Sequence, residues 1–177
     1  KLNKNQLVLI NLYSKKMHQK SSFKIYNASA GSGKTFNLVK EYLILLLTSE
    51  NHDSYKNILA ITFTNKAVNE MKSRIVGRLI EFSDKEKINK DSAIVKEIIK
   101  HTKLSVNSIN IKSNQILKHL LKNYAAFEIS TIDKFTQRIV RSFSYELNID
   151  AKYEVEIDEE DLLEKAVDKL ISKTGEE

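Results

Sequence analysis

The stretch Phe23-Lys24-Ile25-Tyr26-Asn27-Ala28-Ser29-Ala30-Gly31-Ser32-Gly33-Lys34-Thr35-Phe36 leaves this chain few folds to choose from. Apolar alternation over Phe23–Ala28 predicts a short strand, which enters a turn of small residues and then a run with helical spacing. Strand, small-residue loop and helix together form the context of a phosphate-binding loop. Small residues let backbone N–H groups curl around phosphate oxygens, and the helix N-terminus adds partial positive charge. Ala28, Ser29, Ala30, Gly31, Ser32, Gly33, Lys34, Thr35 and Phe36 are therefore the expected nucleoside triphosphate site. Lys34 would reach the β- and γ-phosphates, and the Thr35 hydroxyl would hold Mg²⁺; these two carry the catalytic expectation. The first motif position is Ala28 rather than glycine, which narrows the backbone there without filling the cradle. A plain glycine turn capping an ordinary helix would not need Lys-Thr at this offset.

Composition narrows the class. Of 177 residues, 41% are hydrophobic and 29% charged, as in globular chains and unlike disordered ones. There is no cysteine, so disulfides and thiolate metal sites are excluded, and a cytoplasmic location is expected. The longest apolar run, Leu43–Leu47, is too short to span a bilayer, and the N-terminal residues do not read as a signal peptide. Net charge is +6, but residues 153–177 carry −7 and the preceding residues +13. A basic body with an acidic end suits a polyanion partner, nucleic acid first. The bland alternative is coding bias, since 25 of the 29 cations are lysine.

Along the chain, Met17 is a candidate native start, which would leave residues 1–16 without a role in the fold; Gln6 offers them a rival role as an adenine reader. Leu38, Tyr42, Leu45 and Leu46 predict a helix over residues 34–48, followed by a polar loop from Ser49 to Lys56. The apolar run within Asn57–Phe63 predicts a strand buried on both faces of a parallel sheet, completing a strand–helix–strand unit. Thr64 or Asn65 can cap the next helix, whose inner face is Val68, Met71, Ile75 and Leu79. Residues 83–127 read as a lysine-rich helical insertion, with Ser105–Asn114 as a linker between helices. Phe127–Thr131 predicts a short strand leading into a helix over 132–147, with Phe135, Ile139, Phe143 and Leu147 on its inner face. Ser130 and Asp133 fit a capping box. Tyr153–Ile157 alternates like a strand, and a final helix follows.

Three motifs stand in one order: Ala-Ser-Ala-Gly-Ser-Gly-Lys-Thr, then Ile-Thr-Phe-Thr-Asn-Lys-Ala-x-x-Glu-Met, then Ile-Ser-Thr-Ile-Asp-Lys-Phe-x-x-Arg. Together they resemble the N-terminal motifs of UvrD/Rep-like superfamily 1 DNA helicases. The first motif and the helical insertion look more like the RecB/AddA helicase–nuclease branch. The likeness covers about residues 23–160. It implies a 3′-to-5′ ATP-driven translocase on single-stranded or duplex DNA, serving repair or recombination, with a possible partner subunit. Its fold would be an α/β P-loop NTPase of the RecA-like type, a parallel-sheet domain incomplete here and carrying helical insertions. The expected organisation is an extension over 1–22, the first part of motor domain 1A over 23–82, the insertion over 83–127, a return to the motor over 128–147, and the start of a helical subdomain over 148–177.

The resemblance carries DNA contact onto Phe63, Thr64, Asn65 and Lys66, and onto Ser130, Thr131 and Lys134. An aromatic stacked on a base contributes about 1–3 kcal/mol without sequence preference; the bland role for Phe63 is burial at a strand end. Asp133 would repel a phosphate, so the contact falls to Lys134. Hydrolysis also needs a strand ending in paired acids. Asp158-Glu159-Glu160-Asp161 is the one literal match, and it reads better as acidic residues opening a helix. The hydrolytic acids, second motor domain and arginine finger are thus expected outside these residues, leaving a fragment that binds ATP weakly and does not turn it over. Other classes fit parts of this pattern: a non-motor P-loop ATPase or nucleotide switch, and a non-catalytic DNA-binding remnant.

Overall fold

Around Leu59 the apolar run expected to form a buried strand does so. The computed structural model describes residues 9–11, 33–150, 152–153 and 159–173. Strand β2 (Ile58–Thr62) is buried except at a half-buried Ile61. Strand β3 (Ile129–Thr131) runs parallel to it, pairing Ala60 with Ile129, Ile61 with Ser130 and Thr62 with Thr131. On the opposite side, β1 (Leu9–Asn11) pairs antiparallel, with Leu9 opposite Ala60 and Asn11 opposite Ile58. This corrects the expectation that residues 1–16 take no part in the fold. The run Leu7–Leu12 is apolar at all but one position, and β2 offered an edge on which such a run can form a ladder. The strand expected over Phe23–Ala28 lies outside the described residues, as do Ala28–Ser32.

Parallel neighbours need a long crossover, and the one between β2 and β3 contains three helices. These are α2 (Asn65–Ser83), α3 (Ala93–Thr102) and α4 (Val106–Lys122). Before them α1 (Lys34–Thr48) covers the expected span and buries Tyr42, Leu43, Leu46 and Leu47. In α2, Met71, Ile75, Leu79 and Phe82 line one face at helical spacing and are completely or almost completely buried. Each such side chain contributes about 1.5–3 kcal/mol on leaving water. Tyr42 meets Phe127 edge-on, with ring centroids 5.7 Å apart, and its hydroxyl has no partner among the described residues. Burial pushes the ionisation of that phenol far above its usual range. Lys40, also buried on α1, lies 3.9 Å from Glu97 of α3 and 3.8 Å from Glu41. The loop after α1 is not wholly polar in effect, because a 3₁₀ turn at Ser54–Asn57 buries Tyr55.

The linker expected over Ser105–Asn114 is not one. Ser105 caps α4 by accepting a hydrogen bond from the Ser108 N–H at 3.1 Å, and the helix continues to Lys122. Its asparagines and serines suggested a loop, but Asn110 and Ser113 are buried beside Ile109 and Ile116. These polar side chains face other helices instead of solvent.

Residues 1–136 and 137–177 form two compact units. The helix expected over 132–147 ends early: α5 spans Ile132–Ser142, and turns follow to Asn148. No residue of α5 is buried. Ile139 of its expected inner face is 42% exposed, and Phe143 and Leu147 beyond it are 53% and 52% exposed. Its cap also differs from the expected pairing of Ser130 with Asp133. Thr131 supplies the capping oxygen, 3.3 Å from the Lys134 N–H. In the second unit Tyr153 donates its hydroxyl to the Gln137 carbonyl at 3.2 Å and lies under Arg141. Most of the strand expected over 153–157 lies outside the described residues. Helix α6 (Glu159–Lys173) exposes Leu162, Leu163, Val167, Leu170 and Ile171. It starts within the acidic run, as the helix-opening reading of Asp158–Asp161 requires.

Candidate functional site

Helix α1 begins at a residue with unusual backbone geometry. Gly33, its N-cap, has φ +81° in the left-handed region, which a Cβ disfavours, although among the described residues nothing beyond its immediate neighbours would crowd one. The Gly33 carbonyl accepts the first helical bond, from the Asn37 N–H at 2.9 Å. The expected pair Lys34-Thr35 therefore occupies the first two helical positions. No acidic side chain stands in the first turn, and a helix N-terminus of this kind carries partial positive charge. Thr35 is half-buried and Phe36 is 36% exposed. Phe36 also lines a cavity of about 330 Å³ between α1, α2 and α3, with Val39, Ile94, Gly77, Arg74, Arg78 and Glu81.

The second group of expected residues lies where β2 and β3 end. Because Thr62 is opposite Thr131, the segments beginning at Phe63 and Ile132 leave the sheet side by side. The Thr62 hydroxyl is buried and donates to the Thr64 carbonyl at 3.2 Å, holding the strand-to-helix turn closed. Thr64 accepts from the Ala67 N–H at 3.1 Å and so caps α2. Phe63 beside it is 44% exposed, so burial at the strand end does not account for it. Asn65 and Lys66 are exposed beside it. On the neighbouring strand Ser130 is half-buried and donates to the Thr131 carbonyl at 3.3 Å. Thr131 is buried and engaged in its cap, and Lys134 is exposed. The exposed members of the set are therefore Phe63, Thr64, Asn65, Lys66 and Lys134, and the hydroxyls of Thr62, Thr64 and Thr131 hold the turns that present them. Among the described residues no cluster of His, Cys, Asp or Glu could hold a metal ion, and no helix is long and apolar enough to cross a membrane.

The order of these pieces is also found in known proteins. The pattern of the UvrD/REP helicase N-terminal domain matches residues 13–177. The chain belongs to that family. It is 31% identical over 159 residues to an ATP-dependent helicase/nuclease subunit of Lactobacillus johnsonii, an overlap of 90% of this chain and 10% of that protein. The protein of the same name from Bacillus cytotoxicus is 32% identical over 149 residues, 82% of this chain and 10% of its own length. That of Lactobacillus gasseri is 33% identical over 135 residues, 76% and 9%. The chain thus spans about a tenth of these relatives. No solved structure matches it.

Sequence reasoning missed the polar face of α4. Asn110 donates its side-chain amide to the Phe82 carbonyl at 2.9 Å, and Asn114 donates to the Ser83 carbonyl at 3.0 Å. Lys112 donates to the carbonyls of Leu47 and Ser49 at 2.8 and 3.0 Å. Two asparagines four residues apart, flanked by Ile109 and Ile116, were the available signal.

Proposed function

We propose that this chain is the ATP-binding beginning of a 3′-to-5′ DNA helicase or translocase of the helicase–nuclease type, acting in repair or recombination. The observation that carries the proposal is Gly33 in its left-handed conformation, opening a helix whose first residues are Lys34 and Thr35. Here Ala28–Gly33 wrap the phosphates of ATP, Lys34 neutralises the β- and γ-phosphates, and the Thr35 hydroxyl is the ligand this chain gives to Mg²⁺. The ion would spread the charge of the transferred phosphoryl group. Phe36 adjoins the loop. This assignment makes residues 23–82 and 128–147 parts of one P-loop NTPase motor domain, 83–127 its insertion and 148–177 the opening of a helical subdomain.

Single-stranded DNA then lies across the ends of β2 and β3. Phe63 stacks on a base, Asn65 and Lys66 meet the backbone from one side, and Lys134 meets it from the other. Thr64, Ser130 and Thr131 fix that edge through the bonds described above. A stacked aromatic tolerates any sequence, as a translocase requires. Sequence outside these residues is assigned the paired acids, the second motor domain and contact with any partner subunit, in keeping with relatives about ten times longer.

The test is titration of a fluorescent ATP analogue with Mg²⁺ into this chain and into Lys34→Ala. Binding lost in the variant, with unchanged circular dichroism, is the expected result; equal affinity would remove the phosphate-loop assignment. For DNA, log affinity should fall with log salt by about 0.7 per phosphate contacted. A salt-independent affinity would remove the backbone contacts.

A further inference from the structure

The two helices that carry the proposed contacts end on the same third helix. Helix α1 begins at the phosphate loop and α2 begins one residue after Phe63 and its capping Thr64, yet both C-termini are held by neighbouring side chains of α4. Asn110 and Asn114, one turn apart, take the last carbonyls of α2, those of Phe82 and Ser83. Lys112, two residues from each, takes the carbonyls of Leu47 and Ser49 at the end of α1. Two residues on a helix is a rotation of about 200°, so Lys112 leaves α4 from nearly the opposite side to the asparagines. Helix α4 therefore stands as a strut between the two ends. Its own C-terminal turn is tied to the chain after α1 as well, because the Tyr55 hydroxyl donates to the His119 carbonyl at 3.0 Å.

Helix C-termini carry partial negative charge and orphan carbonyls, and an ammonium or amide donor there is worth more than an ordinary surface contact. Solvent could satisfy each end separately. Here one helix satisfies both, so a shift of α1 along its axis pulls on Lys112, a shift of α2 pulls on Asn110 and Asn114, and both pulls meet in α4.

We propose that α4 is a positioning strut coupling the nucleotide and DNA sites: Lys112, Asn110 and Asn114 make α1 and α2 respond as one body. The inference rests on the functional reading above, and its test separates the two. In the full-length parent protein, affinity for a non-hydrolysable ATP analogue is measured with and without oligo-dT, and affinity for oligo-dT with and without the analogue. Linkage makes the two enhancements equal, and couplings of this kind typically amount to about 5–150-fold.

Lys112→Met keeps the stem and deletes the two bonds to α1; Asn114→Ala deletes one bond to α2 from a half-buried site. The expected result is that each ligand alone binds both variants within about twofold of the parent, while the mutual enhancement falls toward one. Lys112→Arg, which retains a cation at the α1 carbonyls, should restore part of it. Undiminished coupling in both variants, or no coupling in the parent, would overturn the strut. If neither ligand bound the parent, the functional reading would fail, and the strut with it.

Discussion

Helices α2 and α5 begin alike and end differently. Each follows one of two parallel strands in matched register, each is capped by a threonine oxygen, and each has an apolar stripe at helical spacing. Yet α2 sinks Met71, Ile75, Leu79 and Phe82, while α5 buries nothing and leaves Ile139 exposed. The difference is the partner. The face of α2 meets α4, α1 and the underside of the sheet, all within the described residues; the face of α5 meets no comparable element among them. The contrast teaches that, in this chain, the local sequence decides where a helix starts and which way its stripe points, whereas burial depends on what stands opposite.

That contrast can be broken most sharply in stability. Leu79→Ala should cost about 2–5 kcal/mol in urea unfolding, as removal of a fully buried leucine does. Ile139→Ala should stay within about 0.5 kcal/mol; similar losses at the two sites would erase the distinction. Next in size is Phe63→Ala, expected to weaken oligo-dT binding by about 1–3 kcal/mol while the unfolding midpoint holds, because the ring is outside the core. A shifted midpoint with unchanged DNA affinity would return Phe63 to a packing role. The caps sharpen the likeness between the two helices. Thr64→Ala should cost about 1 kcal/mol, and Thr131→Val, which keeps the buried volume, should cost a comparable amount.

The smallest effect lies at the loop between α1 and β2. The His119 ring, 3.1 Å from the Asp53 carboxylate, is the largest influence holding that carboxyl below its ordinary value, with Lys56 adding to it. A carboxyl lowered in the folded state stabilises above its unfolded value and loses that contribution as pH falls through the folded one. Asp53→Asn should therefore cost a little stability at neutral pH and converge with the unsubstituted chain below about pH 4, where that chain has lost the contribution as well. A loss that appears only in acid and is absent at neutral pH would contradict this.

Much of the first unit was legible because its signals are periodic. Tyr42 and Leu46 on α1, and Met71, Ile75 and Leu79 on α2, repeat at helical spacing and are buried as that spacing requires. The apolar run at Ile58–Thr62 announces a strand covered on both faces. The start of α1 was legible from residue type, since Gly33 supplies a backbone conformation that few residues adopt. The first half of α4 was not legible, because its serines and asparagines usually mark loops, and here Asn110 and Asn114 serve donor roles that only a neighbouring helix end creates. Nor could periodicity show that Thr131 would turn inward while Lys134 stays out. That depends on the register of β3 against β2, a property of two segments at once. The short pairing of Leu9–Asn11 with β2 escaped for the same reason.

One measurement bears on the central claim most directly: ATP hydrolysis by the full-length parent, with and without single-stranded DNA. The account predicts strong stimulation by DNA, lost with Lys34→Ala and reduced with Phe63→Ala. Hydrolysis indifferent to DNA would contradict it, leaving an ATPase in which Phe63, Lys66 and Lys134 touch no strand.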